Sequence, residues 1–303
     1  MRKSGIGGRL HGKAGVRFFG DIHGCLAEFA ALAEDAVACD LHLHALGDLI
    51  DRGPDSPGCM RLACDLHDSG WLDLNPGNHD ERFLRWFRGE AVPIKPNNLG
   101  STLAQLERTA DRTELTRRYV QLLLQAPLWS RFGRIYAVHA ALHPEMIGRD
   151  GPALGASDGS SAVHDFALEG EMRAEDDPER WALGRRSFNW LEHIPAEVTV
   201  LVGHSTVSTE GPRERRNQAG GRIVHLDTGL KRSGRLTYLD VPAAVIACLD
   251  EPAIGEFPQV TETEIRAIRA AKHAHQRASD LSAGASASLR RRSCRRPPGR
   301  SSA

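Results

Sequence analysis

Gly47-Asp48-Leu49-Ile50-Asp51-Arg52-Gly53 is the stretch that decides how this chain folds. The alternating run before it, residues 41–46, is typical of a β-strand, and Gly47 lets the backbone turn so that Asp48 projects from the strand's carboxyl end. Open α/β sheets bind ligands at this edge. One carboxylate can bridge two divalent ions about 3.5–4 Å apart, as two-metal hydrolytic centres require. We therefore predict that Asp48 bridges two metal ions.

Asp51 and Arg52 follow Asp48 closely enough to face the same cavity. The planar guanidinium of Arg52 matches the oxygens of a phosphate group. Taken alone, the stretch is equally compatible with an ordinary turn that carries a surface ion pair. The prediction therefore depends on what the rest of the chain supplies.

Composition narrows the class of protein. A chain of 303 residues is long enough for one elaborated α/β domain, and its 39 basic and 39 acidic residues give no argument for a nucleic-acid or membrane partner. Six scattered cysteines without paired metal spacing are typical of reduced thiols. No apolar segment reaches the length of a signal peptide or a membrane span. We expect a cytoplasmic protein with no membrane contact.

Periodicity predicts three consecutive strand-loop-helix units. Their strands cover residues 16–19, 41–46 and 71–74, and each is followed by a helical pattern. Such units favour a largely parallel sheet. Further strands are predicted over 134–138, 198–202, 222–226 and 236–239, with the last two as a partly antiparallel hairpin.

Six potential metal ligands follow five separate apolar runs: Asp21, His23, Asp48, Asn78, His139 and His204. A single histidine after a strand is more often structural, but recurrence after five strands is hard to produce by core packing. Oxygen and imidazole donors without thiolate suit Mn, Fe or Zn. We assign Asp21, His23 and Asp48 to one divalent ion, and Asp48, Asn78, His139 and His204 to the other, with Mn as the first choice of metal.

The remaining polar residues suggest catalytic roles. His79 is free to protonate the leaving oxygen, and Asp51 is its expected orienting partner. Arg52 would bind the phosphoryl oxygens and stabilise their developing charge. A second arginine from the segment before His204 would complete this clamp, and we choose Arg185, with Arg186 as its rival.

The motifs together resemble one protein family, the phosphoprotein phosphatase branch of the calcineurin-like metallophosphoesterases. The resemblance rests on Gly20-Asp21-Ile22-His23-Gly24, the stretch from Gly47 to Gly53, and Gly77-Asn78-His79-Asp80. It continues with Val138-His139-Ala140, Gly203-His204-Ser205 and Asp227-Thr228-Gly229, and covers roughly residues 16–242. It implies an α/β fold with a central β-sandwich flanked by helices, a helical cap and two metals at the sandwich edge.

Departures from the family pattern refine this assignment. Ser205-Thr206 follows His204 where many metallophosphoesterases carry a further histidine, which favours the phosphatase branch. Asp80 and Ala141 stand where eukaryotic members usually carry Glu and Gly, which indicates a bacterial-type member. Asp51 stands where diadenosine tetraphosphatase relatives commonly carry Ala, which favours phosphomonoesters.

We divide the chain accordingly. A basic extension (1–14) precedes a metallophosphoesterase domain (15–250), which contains a cap insertion at about 82–125 and a loop or lid at about 150–177. A helical extension (251–280) and a disordered Arg/Ser-rich tail (281–303) follow.

The function expected from the resemblance is that of a two-metal phosphomonoester hydrolase, a serine/threonine-type protein phosphatase with in-line attack by metal-bound hydroxide. The alternative is a symmetrical dinucleoside tetraphosphate hydrolase, which splits an anhydride. The expected partner is a phosphorylated protein or a small phosphate ester. No nucleic-acid partner is expected, apart from a weak contact of the arginine-rich tail.

Overall fold

Two β-sheets form the centre of the fold. The computed structural model describes residues 12–156, 162–171 and 187–250. In the first sheet, β1 (Gly15–Phe19), β2 (Leu41–Ala45) and β3 (Leu72–Leu74) run parallel, and β9 (Tyr238–Pro242) pairs antiparallel with β1. The strand order is β3-β2-β1-β9. The three predicted parallel strands are confirmed.

A helix follows each of these three strands: α1 (Leu26–Ala38), α2 (Ser56–Asp68) and α3 (Asn78–Phe87). The start of α2 shows why the sequence folds this way. The Asp55 side chain accepts a hydrogen bond from the Gly58 amide at 2.7 Å, and Pro57 lies in the first turn. An acidic cap and an early proline both stabilise a helix start.

The second sheet has the order β4-β5-β6-β8-β7. Its strands are β4 (Trp129–Phe132), β5 (Ile135–Val138), β6 (Thr199–Val202), β7 (Arg213–Arg216) and β8 (Arg222–His225). The predicted hairpin of the last two strands is wrong, because β8 pairs with β6 and β7 whereas β9 belongs to the first sheet. Sequence analysis missed β7, whose four residues are all exposed and show no apolar alternation.

The two sheets pack face to face as a sandwich. Val16 and Phe18 of β1 share a buried cluster with Phe132, Ala137 and Leu201 of the second sheet. The rings of Phe18 and Phe132 meet edge to face, with centroids 5.0 Å apart. Periodicity had predicted a single largely parallel sheet, which is incomplete, whereas the β-sandwich implied by the resemblance is confirmed.

Helices surround the sandwich. The segment 82–125 contains the end of α3 together with α4 (Leu99–Leu106) and α5 (Arg112–Gln125). The predicted loop at 150–177 contains helix α6 (Ala162–Glu169), and two short helices, α7 (Leu230–Ser233) and α8 (Ala243–Asp250), follow later in the chain. Short 3₁₀ turns occupy Pro144–Met146, Leu154–Ala156 and Asn189–His193.

Some predictions fall outside the described residues. These are most of the basic extension, the C-terminal helical extension and the arginine-rich tail. Among the helices that are described, none is long and apolar enough to cross a membrane.

Candidate active site

The sandwich brings the six predicted ligands together at one edge. Asp21 and His23 follow β1, Asp48 follows β2, Asn78 begins α3, and His139 and His204 follow the neighbouring strands β5 and β6. Parallel strands end at the same edge of a sheet, so their following loops meet. Five of the six side chains are buried and that of His204 is half-buried.

Asp48 lies at the centre of this cluster. Its Oδ2 is 3.6 Å from His23 Nε2, and its Oδ1 is 3.6 Å from His139 Nε2. Two groups of donor atoms share this carboxylate, one formed with His23 and His79 and the other with His139 and His204. The arrangement is that of a carboxylate between two cation sites. Neighbouring ligands of one ion lie at such separations when metal–ligand distances are about 2.0–2.2 Å.

Asp21 and Asn78 extend the two groups. Asp21 Oδ2 is 3.5 Å from His23 Nε2, while its Oδ1 accepts a hydrogen bond from the backbone amide of His204 at 2.9 Å. Asn78 Oδ1 is 3.3 Å from His139 Nε2, and its Nδ2 donates to Glu169 Oε1 at 3.0 Å. Each residue therefore turns an oxygen toward the cluster.

Hydrogen bonds fix the histidine tautomers. His23 Nδ1 donates to the Ile50 carbonyl at 3.0 Å, and His139 Nδ1 donates to the Leu46 carbonyl at 2.7 Å. Because each Nδ1 carries the proton, each Nε2 presents a lone pair to the site. The lone pairs of His139 Nε2 and Asn78 Oδ1 thus face each other without a proton between them. A bound cation satisfies such converging acceptors, so the donor set fits divalent metal ions.

The pKa shifts of the site residues also favour a bound cation. Burial, Asp227 and Asp48 together raise the pKa of Asp21 well above its ordinary value. Burial also acts to raise the pKa of Asp48, but His139 and three further imidazoles outweigh it and hold that pKa well below the usual range. Burial lowers the pKa of His23 to about 4, which keeps its imidazole neutral and able to bind a metal. A cation would relieve the crowding of the two carboxylates.

His79 and Asp51 form a buried pair beside the cluster. His79 Nδ1 donates to Asp51 Oδ2 at 2.6 Å, and Thr102 Oγ1 of α4 donates to Asp51 Oδ1 at 2.6 Å. The backbone amide of Asp51 donates to Ser56 Oγ at 3.0 Å. The carboxylate is therefore held from α3 and α4, the backbone of Asp51 is held by Ser56, and the carboxylate fixes the ring of His79 with Nε2 directed into the site.

Arg52 lies between this pair and the first metal group. Its guanidinium donates to His23 Nε2 at 2.7 Å and to His79 Nε2 at 2.9 Å. A guanidinium can only donate, so both ring nitrogens accept. The ammonium of Lys231 donates to the Arg52 carbonyl and supports the turn that carries this residue.

Sequence reasoning missed the structural role of Asp80. Its Oδ2 accepts from the backbone amides of Asp48 at 2.8 Å and Gly77 at 2.9 Å, and its Oδ1 accepts from the Tyr119 hydroxyl at 2.7 Å. Burial and the nearby Asp48 raise the pKa of Asp80 to about 6. Asp80 thus positions the backbone of the central carboxylate. The Gly77-Asn78-His79-Asp80 motif is the signal that could have drawn attention to it.

Residues 16–237 match the calcineurin-like phosphoesterase family. The chain belongs to this family. Calcineurin-like phosphoesterases are metal-dependent phosphoric ester hydrolases, and the chain is accordingly an enzyme of this class that uses divalent metal ions.

Relatives add detail to the family assignment. The bis(5′-nucleosyl)-tetraphosphatase PrpE [asymmetrical] of Geobacillus thermodenitrificans is 30% identical over 75% of this chain and 90% of its own length. The protein of the same name from Bacillus subtilis is 26% identical over 73% of this chain and 88% of its length. A protein-tyrosine phosphatase structure from a psychrophilic Shewanella species covers 73% of both chains at 15% identity, with a TM-score of 0.44.

Two predicted residues of the phosphoesterase site lie outside the described residues. These are Arg185 and its rival Arg186, so the second arginine of the phosphate clamp stays a prediction. The other nine predicted site residues converge within one cluster.

Proposed function

We propose that this phosphoesterase hydrolyses bis(5′-nucleosyl) tetraphosphates asymmetrically, into a nucleoside triphosphate and a nucleoside monophosphate. The observation that carries this proposal is a sequence identity of 30% to a relative that is named for this activity, over 90% of that relative's length. Symmetrical cleavage, which the sequence suggested as the alternative to a protein phosphatase, finds no support in these relatives, whose names specify asymmetrical cleavage. The cluster around Asp48 supports hydrolysis at a phosphorus atom, whether the tetraphosphate is cleaved symmetrically or asymmetrically.

The six ligands would hold two divalent ions. Asp21, His23 and Asp48 face one position, and Asp48, Asn78, His139 and His204 face the other. When bound, the ions supply Lewis-acid charge and an activated water. The nitrogen and oxygen donors accept Mn, Fe or Zn, and we propose Mn.

The chain's own groups perform the remaining chemistry. Arg52, which faces both His23 and His79, binds the phosphoryl oxygens and stabilises charge that develops on them. Substrate that engages Arg52 frees His79 Nε2, which then takes up a proton from solvent to form the imidazolium and donates that proton to the leaving oxygen. Asp51 holds the opposite ring nitrogen at 2.6 Å and keeps the ring in this orientation.

The pair formed by His79 and Asp51 supports a second candidate function. An anhydride releases a phosphate oxygen that scarcely needs protonation, whereas an alkyl phosphate releases an alkoxide that does. The chain nonetheless holds a buried His79–Asp51 pair at 2.6 Å, braced by Thr102. This favours phosphomonoesters, and a phosphoserine or phosphothreonine protein in particular, as the alternative substrate.

A competition assay separates the candidates. Mn-loaded protein receives diadenosine tetraphosphate and a phosphoserine peptide together, and ATP, AMP, ADP and inorganic phosphate are quantified. ATP with AMP is the expected product pair. Dominant ADP would indicate symmetrical cleavage, and dominant phosphate from the peptide would move the assignment to a protein phosphatase.

The variant His79→Asn sharpens the result. General acid catalysis contributes about 10²–10⁴-fold where the leaving group needs a proton. We expect a loss of that size on the peptide and less than about tenfold on the tetraphosphate. Equal losses on both substrates would contradict the assignment of His79 as a general acid.

A further inference from the structure

A cleft between α3 and the segment before α4 has no role in the hydrolysis proposed for this chain. Arg82 of α3 and the residues Pro93, Lys95 and Asn98 before α4 line this solvent-open space of about 270 Å³. Two of its four lining side chains are cationic, and none is acidic.

The cleft lies one helical turn from the catalytic pair. Arg82 is three residues after His79 and four after Asn78 in α3, and Asn98 is four residues before Thr102, the residue that bonds Asp51. Residues at these spacings are neighbours on one face of a helix, about 5–6 Å apart. Arg82 therefore lies on the same face of α3 as Asn78 and His79.

Among the described residues neither cation of the cleft forms an ion pair, although the charge of Arg82 acts on the adjacent Glu81. Within the described part of the chain, no carboxylate lies within ion-pair distance of Arg82 or Lys95, and Glu81 approaches Arg85 instead, at 4.0 Å. Cations on nearby helices, by contrast, are paired with carboxylates. Arg61 is paired with Asp111, Arg117 with Glu114, and Arg118 with Asp65 and Asp68.

We propose that Arg82 and Lys95 bind a further phosphate of a nucleoside oligophosphate while the scissile phosphate lies at Arg52. This subsite rests on the proposed function, because only an oligophosphate substrate extends beyond the scissile group. Its position beside His79 places it on the side of the leaving oxygen. Asn98 supplies an amide that can donate to the same phosphate.

Substitutions of the two cations test the subsite. Arg82→Ala and Lys95→Ala should each raise the KM for diadenosine tetraphosphate about tenfold, with kcat changed by less than about twofold, because a distant phosphate contact is made equally in the ground and transition states. The loss in kcat/KM should be at least about fivefold smaller with p-nitrophenyl phosphate, which has no second phosphate. Arg82→Lys should retain most of the affinity.

Arg88→Ala is the matched control, since Arg88 is an exposed arginine at the far end of the same helix. It should change neither substrate's constants. Equal effects of Arg82→Ala on both substrates, or an effect of the same size from Arg88→Ala, would overturn the subsite. Thermal melts show whether each variant is folded.

Direct binding separates failure of the subsite from failure of the proposed function. Titration calorimetry of Mn-loaded protein should show that Arg82→Ala weakens tripolyphosphate about tenfold and orthophosphate less than about twofold. If the wild type does not hydrolyse diadenosine tetraphosphate, but Arg82→Ala still weakens the binding of tripolyphosphate more than that of orthophosphate, the subsite is supported and the substrate assignment fails. Unchanged tripolyphosphate affinity in Arg82→Ala would refute the subsite, whatever the enzyme hydrolyses.

Discussion

Asp80 offers the sharpest test of how the fold holds its central carboxylate. Its side chain accepts hydrogen bonds from the backbone amides of Asp48 and Gly77 and from the Tyr119 hydroxyl, at 2.7–2.9 Å. Asp80 and Tyr119 are completely buried. The substitution Asp80→Ala therefore leaves two amides and a hydroxyl without their partner in a place that water does not reach.

The cost follows from these three contacts. An unsatisfied buried donor costs about 1–3 kcal/mol, so three give roughly 3–9 kcal/mol. The upper end is not reached, because the substitution also removes a carboxylate that burial and Asp48 already disfavour, as its pKa of about 6 shows. We expect a loss of about 3–6 kcal/mol in the free energy of unfolding and about 10–100-fold in metal affinity.

Asp80→Asn provides the matched comparison. Its amide oxygen can accept from both backbone amides while its amide nitrogen donates to Tyr119, so we expect a loss of only about 1 kcal/mol. Tyr119→Phe removes one contact at the distant oxygen and should cost about 1 kcal/mol with metal affinity almost unchanged.

Urea unfolding with a chelator present measures the stability of each variant, and titration calorimetry with Mn²⁺ measures its metal affinity. The reasoning is refuted if Asp80→Ala stays within about 1 kcal/mol of the wild type, or if Asp80→Asn is as damaging as Asp80→Ala.

Further predictions concern packing, pH and metal number. A Cβ at Gly77 would lie 2.1 Å from Asp48 Oδ1, so Gly77→Ala should lower kcat about 100-fold, whereas Gly211→Ala, which meets nothing within 4 Å, should not. Activity assays on both variants check this. Burial lowers the pKa of His44 to about 4, so the folded state binds fewer protons than the unfolded state and stability should fall by about 3 kcal/mol from pH 7 to pH 4. Urea unfolding across this range should show a weaker pH dependence for His44→Gln, and an unchanged slope would count against it. Because both donor groups share Asp48, Asp48→Asn should lose both Mn ions and His204→Asn only one, as metal analysis after gel filtration would show.

Local periodicity was sufficient for part of the fold. The strands β1, β2 and β3 and the helices after them are encoded by contiguous patterns of apolar residues, and the structure confirms them. The convergence of Asp21, Asp48 and Asn78 follows from the same fact, because loops after adjacent parallel strands must meet. No knowledge of distant contacts was needed.

Contacts between distant segments could not be predicted from the sequence. Thr102 and Tyr119 support Asp51 and Asp80 across 51 and 39 residues, and nothing in the helical patterns of α4 and α5 distinguishes these two polar side chains from solvated ones. The pairing of β9 with β1 joins the two ends of the domain, and it depends on the completed sandwich rather than on any local pattern.

Backbone conformation at the site explains why its residues are not interchangeable. Five non-glycine site residues have φ in the left-handed region: His23, Asp48, Asp51, Arg52 and His204. Their φ values range from 48° at His23 to 73° at Asp51. Such a conformation costs an L-residue about 1–2 kcal/mol relative to its usual regions. Among the described residues the other case, Asp40, lies just after helix α1, where a left-handed residue commonly ends a helix.

Cross-loop hydrogen bonds hold these strained turns in place. The amides of Ile22 and His23 donate to the Asp48 carbonyl at 3.1 and 2.9 Å, and the Gly24 amide donates to the Leu49 carbonyl at 2.9 Å. Glycine would relieve the strain at each position but would remove a carboxylate, an imidazole or a guanidinium. The chain carries the strained residues because the turn aims those groups at one point, and fixed polar groups of this kind lower a barrier without reorganising during the reaction.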